Sequence, residues 1–246
     1  MKKWFQDLTT AVSFLTVLPV QVSHAQEFAL ARSMLFFPLL GFSIGLLALG
    51  VTHLPGSFFP ERFADLLLIL IPLLFSGGLH LDGFADCCDG FFGGRTREET
   101  LRIMKDPALG VWGVTGVIFL ILVKWELLGM LPMKPKLFLL AMTASRWAQV
   151  FLCRFHADAR PERSLAGEVA RKVGNREFLG ASIFLLAVSF WVSALSGIIL
   201  GGVLVFLWIA GWYVEKRLGG ITGDVIGAAS EITEILVFFL GVLVLR

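Results

Sequence analysis

Charge is what this chain lacks over its longest stretch. Between Glu177 and Glu215 there is no aspartate, glutamate, lysine or arginine, and charged residues make up only 16% of the whole. A soluble core helix needs no uncharged run of that length, which suffices for about two membrane crossings at roughly 20 residues each. Cysteine is scarce and odd in number. Cys87, Cys88 and Cys153 have no metal-ligand spacing, which excludes a disulfide framework and a zinc site and leaves small buried thiols. The net charge of +2 is small and dispersed, without a tandem basic and aromatic stripe, so nucleic acid is excluded as a partner. The Walker pattern and His-Glu-x-x-His are missing, which removes the commonest ATPase and metalloprotease chemistries. No small-residue cleavage site follows "MKKWFQDLTTAVSFLTVLPV", and Gln6, Asp7, Thr9 and Thr10 dilute its apolar stretch, so the segment reads as retained. Without an internal repeat or a low-complexity segment, an inverted-repeat transporter has little sequence support.

What is abundant is apolarity, at 57% hydrophobic residues and a mean hydropathy of +0.81. The fold class read from this is all-α: a polytopic helical membrane protein forming a single integral-membrane catalytic domain over 1–246. About seven transmembrane helices are predicted, near 33–55, 63–81, 111–131, 137–153, 178–195, 198–214 and 225–245. Residues 1–22 precede the 33–245 bundle as an interfacial helix, with Trp4, Phe5, Leu8, Val12 and Leu15 on one face. The excess of lysine and arginine on cytoplasmic loops then orients the chain. Placing Lys2 and Lys3 inside puts 95–106, 154–177 and 215–220 on the cytoplasmic side, and leaves Arg62, Lys134, Lys136 and Arg246 outside.

The polar residues gather in the same regions. In "HLDGFADCCDG", Asp82, Asp86 and Asp89 follow i, i+4, i+7 and share a face if 79–92 continues the preceding helix. Three converging carboxylates near a membrane call for a cation, and an all-oxygen set suits Mg²⁺ with water and substrate phosphate completing its shell. The nearby Gly77, Gly78, Gly83 and Gly90 mark the close approach of another helix or a ligand. "GGITGDVIGAASEITEI" repeats the pattern: Asp224 and Glu231 lie at i, i+7 with Glu234 a turn farther on, and Thr222 or Asp224 caps the helix. Arg146, inside a predicted span, requires an acid or a bound phosphate. Arg154 and Arg160 in the next loop are candidate anion contacts. Lys105 and Asp106 pair a cation with an acid at a turn, and His80 is a candidate base or a group orienting Asp82. Together these suggest phosphoryl transfer on a pyrophosphate-containing substrate.

Three stretches, "GGLHLDGFADCCDGFFGGR", "LRIMKDPALGVWG" and "LGGITGDVIGAASEITEI", in this order in a polytopic chain, resemble the cobalamin synthase family, the adenosylcobinamide-GDP ribazoletransferases of bacteria and archaea. The resemblance implies that a ribose hydroxyl of α-ribazole or its 5′-phosphate attacks the phosphoryl joined to adenosylcobinamide. GMP leaves, and adenosylcobalamin or its 5′-phosphate is formed. It further implies Mg²⁺ dependence, the prokaryotic cytoplasmic membrane, metal ligation by Asp82, Asp86 and Asp89, and a site completed by Lys105, Asp106, Asp224 and Glu231. With His80, Asp89, Lys105 and Asp106 as catalytic candidates, Arg95, Arg146, Thr222, Asp224 and Glu231 are expected on the substrate side. Two other readings are compatible with the motifs. Asp86-x-x-Asp89-Gly90 followed by Arg95 is also similar to the CDP-alcohol phosphotransferases, and intramembrane acids also occur in cation-coupled transporters. A homo-oligomer is compatible with the sequence.

Overall fold

The computed structural model describes residues 3–20, 29–52, 60–159 and 173–245. Lys2, Arg160 and Arg246, which entered the sequence reading, lie outside the described residues. Among the described residues the protein is helical throughout, apart from one isolated bridge between Asp158 and Ile221. The helices are α1 (Lys3–Leu15), α2 (Ala29–Ser33), α3 (Phe37–Thr52), α4 (Glu61–Phe75), α5 (Leu79–Gly93), α6 (Arg97–Ile103), α7 (Val111–Met130), α8 (Lys134–Phe155), α9 (Asn175–Val192), α10 (Ser196–Leu218) and α11 (Gly223–Val244). A 3₁₀ turn over Met34–Phe36 joins α2 to α3.

By length and composition five segments can cross a membrane: Ala29–Thr52, α7, α9, α10 and α11. The pair α4 and α5 makes a sixth if it is counted as one bent span. The expected seventh, near 137–153, is α8, which has the length but not the apolarity. Its position explains this: Leu137 to Cys153 is buried without interruption, so its surroundings are protein rather than lipid. A helix enclosed on all sides can carry Thr143, Ser145, Arg146 and Gln149, because neighbouring helices satisfy them.

The sequence reading also ran 63–81 straight on into 79–92, and here the structure departs from it. Gly77 and Gly78 have φ of +60° and +78°, the left-handed region open to glycine. The Gly78 N–H donates to the Leu73 carbonyl at 3.0 Å and the Gly77 N–H to Leu74 at 3.2 Å, the paired bonds of a Schellman ending. α5 leaves this turn at 93° to α4, so the aspartate-bearing segment is a separate helix and not the tip of a span.

At 13 residues α1 is about 20 Å long, too short to cross a hydrocarbon core of about 30 Å. Its protein-facing stripe is Asp7, Ala11 and Leu15 rather than the purely apolar face expected, and Arg32 Nε at 3.1 Å neutralises Asp7. Trp4, Phe5 and Phe14 remain exposed.

The two ends of the bundle differ. At one end Arg62 meets Glu126 (2.8 Å) and Asp65 (3.5 Å), and Lys134 meets Asp65 (2.8 Å) and Glu61 (3.0 Å). Of the cations that the sequence reading placed outside, Arg62 and Lys134 are thus compensated. The other end gathers α5, α6, the start of α7, the end of α8 and the start of α11. Arg97 stitches it, donating to the carbonyls of Leu218 (2.6 Å) and Ala159 (3.1 Å), while Arg217 donates to Gly94 (2.7 Å).

Candidate active site

α5 and α11 pack closely enough that their backbones define the site. A Cβ on Gly83 would lie 2.8 Å from the Asp224 carbonyl oxygen, and one on Gly227 3.2 Å from the His80 backbone. Glycine at both crossing points brings Asp82 and His80 of α5 beside Thr222 and Asp224 of α11. Thr222 caps α11, accepting from the Val225 N–H at 3.3 Å, and its hydroxyl donates to Asp224 Oδ2 at 3.2 Å. Of the two capping alternatives, Thr222 is the cap.

These four residues border a cavity of about 320 Å³. Gln149 and Cys153 of α8 and Asp158 complete its polar side, and Phe14, Leu30, Met34 and Phe37 form an apolar wall. No lysine or arginine is among its described lining residues. Asp86 lies one turn along α5 from Asp82, and the strongest charges acting on it are those of Asp82, Asp224 and Asp89, all of its own sign.

Asp89 does something else. Its Oδ2 accepts from the Gly110 N–H at 2.7 Å and its Oδ1 from the Gly113 N–H at 2.8 Å, so the carboxylate caps the start of α7. Asp89, expected as a metal ligand beside Asp82 and Asp86, is thus engaged with the backbone of α7. Among the described residues no group of three or more His, Cys, Asp or Glu side chains is gathered closely enough to hold an ion alone. Asp82, Asp86 and Asp224 are the carboxylates at this end that could share a cation with water and a substrate phosphate.

Arg146 and Glu231, expected on the substrate side, are both paired inside the protein. Arg146, 3% exposed, donates through Nη1 to Ser230 Oγ (2.8 Å) and Ser145 Oγ (3.1 Å) and pairs with Glu234 (3.5 Å). Its requirement is met by an acid of the same chain. Glu231 and Glu234, one turn apart on α11, both accept from Lys124 of α7, itself 4% exposed. Two bases and two acids therefore balance in the bundle core, as burial of charge demands. None of the four lines the cavity. Lys124 was missed in the sequence, although a lysine inside a predicted span is itself a signal that an acid faces it.

The remaining candidates lie outside the cavity. Lys105 and Asp106 are exposed in the turn between α6 and α7, where Asp106 Oδ1 accepts from the Ala108 N–H at 3.0 Å. Arg95 is exposed and its backbone N–H donates to Glu99 at 2.9 Å. Arg154 donates to Asn175 Oδ1 at 2.8 Å. His80 does not orient Asp82: its Nε2 lies 2.8 Å from Gln149 Nε2, and its Nδ1 is buried with no partner. Sequence reasoning missed Gln149, Asp158 and the apolar wall, because each enters the site from a segment without a motif.

Fold and site define a multi-pass helical membrane protein that holds carboxylates beside an apolar pocket at one end of its bundle. The chain belongs to the cobalamin-5-phosphate synthase family, whose model matches residues 7–243. It is 36% identical over 239 residues to a protein of Desulforamulus reducens and 41% identical over 248 residues to one of Chlorobium phaeobacteroides, with 96% of each chain covered in both comparisons. It is 39% identical over 246 residues to a protein of Chlorobaculum parvum, covering 97% of this chain and 96% of the relative. All three are named adenosylcobinamide-GDP ribazoletransferase. No solved structure matches this chain. These similarities do not favour the CDP-alcohol or transporter readings.

Proposed function

We propose that this chain transfers the phosphocobinamide portion of adenosylcobinamide-GDP to a ribose hydroxyl of α-ribazole or its 5′-phosphate. The hydroxyl oxygen bonds to the phosphorus carrying adenosylcobinamide, the bond from that phosphorus to the GMP oxygen breaks, and GMP leaves with the electron pair. The observation that carries the reading is the meeting of Asp82, Asp224 and Thr222 at one cavity, from two motifs about 140 residues apart in the chain, with Asp89 anchoring the third motif through Gly110 and Gly113.

Asp82, Asp86 and Asp224 are suited to hold Mg²⁺, which supplies neutralisation of the diphosphate when bound. A carboxylate on the cavity wall, Asp82 or Asp224, is placed to accept the hydroxyl proton. Arg95 and Lys105, exposed on the segments that flank α6, are suited to the outer phosphates of a substrate far larger than the cavity. The basic segments of 95–105 and 215–217 support an orientation with this end in the cytoplasm, in a prokaryotic cytoplasmic membrane.

The test is direct. Purified protein in detergent or nanodiscs is given adenosylcobinamide-GDP, α-ribazole and Mg²⁺, and nucleotide release is followed by chromatography. GMP release that requires both the acceptor and the metal is expected. Release undiminished by a chelator would remove the metal from the proposal, and CMP release from a CDP-alcohol in its place would remove the substrate.

A further inference from the structure

The cavity has two unlike walls, and the polar one contains a donor with nothing to bind. Arg146 can only donate, and it donates to Ser230 Oγ. The Ser230 hydroxyl proton goes to the Ser145 carbonyl at 3.1 Å. The Gln149 group facing Ser230 at 3.2 Å must then be its NH₂, whose second proton points to His80 Nε2 at 2.8 Å. An Nε2 that accepts carries no proton, so the neutral ring bears its proton on Nδ1. His80 is 3% exposed and borders the cavity, and this Nδ1–H has no acceptor among the described residues. A buried donor left unpaired costs about 1–3 kcal/mol, which a ligand oxygen or nitrogen would recover.

The opposite wall is apolar and partly aromatic. The rings of Phe14 and Phe37 lie nearly parallel, with centroids 5.9 Å apart, and Leu30 and Met34 stand beside them. We propose that this cavity is the subsite for the acceptor nucleoside, with the base against Phe14, Met34 and Phe37 and the ribose toward His80, Asp82, Asp158 and Asp224. The inference rests on the transfer reaction proposed above and goes beyond it by dividing the two substrates between places.

Size and polarity decide between them. A cavity of about 320 Å³ stands at the small end of ligand pockets and encloses a nucleoside of about twenty non-hydrogen atoms, not a corrinoid macrocycle. The base of α-ribazole is a methylated benzimidazole with no amino or carbonyl group, so it matches a wall of aliphatic and aromatic carbon. Guanine would leave its amide edge unpaired there. Ribose hydroxyls are donors and suit a wall rich in carboxylates. His80 is on this view a binding donor and not the general base, which leaves proton acceptance to a carboxylate.

Steady-state kinetics on the intact protein separates the substrates. Phe14→Ala and His80→Leu are each expected to raise KM for α-ribazole roughly tenfold while changing KM for adenosylcobinamide-GDP by less than about twofold, the size of one lost hydrogen bond or aromatic contact. His80→Asn, whose amide NH₂ stands near the position of Nδ1, should restore most of the loss. A rise confined to the KM of adenosylcobinamide-GDP would assign the cavity to the nucleotide, and no change in either constant would remove it as a substrate site. Phe14 is 42% exposed, so its variant carries the test even if His80→Leu does not insert. Wild-type GMP release checks the underlying reaction separately. Nitrogen-15 spectra of labelled histidine give a second readout: the Nδ1-protonated form is expected, Gln149→Leu should let the tautomers mix, and an Nε2-protonated ring in the wild type would overturn the donor assignment.

Discussion

Seven residues along α11, about 10 Å, separate two different treatments of a carboxylate. At the start of the helix, Asp224 joins Asp82 and Asp158 around a cavity that no lysine or arginine lines among the described residues, with Asp86 one turn along α5 from Asp82. Deeper in, Glu231 and Glu234 meet Lys124 and Arg146, two charges of each sign. A balanced cluster is complete without a ligand and holds α7, α8 and α11 together. One in which acids predominate, at an accessible end, suits a cation or a set of hydroxyl donors. The same residue type thus closes a charge-balanced core in one place and lines a cavity in the other.

The largest effect is expected in the balanced cluster. Lys124→Met leaves two buried carboxylates facing each other, and breaking a buried pair in this way costs about 3–5 kcal/mol. Thermal unfolding in detergent should show it, with partial recovery when Glu231→Gln is added. A loss below about 1 kcal/mol would mean that water reaches these groups and that the contrast between the clusters is false.

Next comes the acid-rich cluster, where the loss should fall on turnover and not on folding. Asp86→Asn removes one of several like charges, so the protein should be inserted and unfold no earlier than the wild type. Its GMP release should fall roughly 10²–10³-fold, equivalent to about 3–4 kcal/mol of transition-state stabilisation. An early melting transition with near-normal turnover would reverse the assignment of the two clusters.

How far the sequence foretold this division depends on the range of the interactions. The helical character, the grouping of the motifs at one end and the membership of Asp82, Thr222 and Asp224 in one site follow from local composition and spacing. Asp82, Asp86 and Asp89 do occupy one helical stripe, but helical projection says nothing of what stands opposite. Asp89 faces Gly110 and Gly113, more than twenty residues on, and that partnership exists only because α6 folds back on α5. Likewise Arg146 and Glu231 carried the right signal, a charge that needs a partner, without saying that Glu234 and Lys124 would provide it. The bend at Gly77 and Gly78 was written in the glycines themselves. An unbroken apolar reading from 63 to 81 obscured it.

Asp89 offers an intermediate case. It belongs to the aspartate stripe by sequence and to the scaffold by contact. Asp89→Ala should cost about 1–2 kcal/mol, the worth of a good helix cap, and reduce turnover only through the altered seat of α7. Asp89→Asn keeps one acceptor oxygen and should lose less. Should Asp89→Asn abolish GMP release at unchanged stability, the carboxylate would be acting on substrate or metal and the stripe would be functional along its whole length.

The smallest effect belongs to the far end of the bundle, where charges are paired as in the core but stand partly exposed. Arg62 is held by Glu126 and Asp65 with its guanidinium 4.0 Å over the Trp125 ring, yet its side chain is substantially open to the surroundings. Solvent screening and side-chain entropy reduce such pairs to about 0–1 kcal/mol, so Arg62→Gln should shift the melting transition slightly and leave GMP release unchanged. Balance alone therefore does not make a charged cluster strong. Lys124 and Arg62 each face two carboxylates, and the difference expected between their variants, several kcal/mol against less than one, measures what burial adds to pairing.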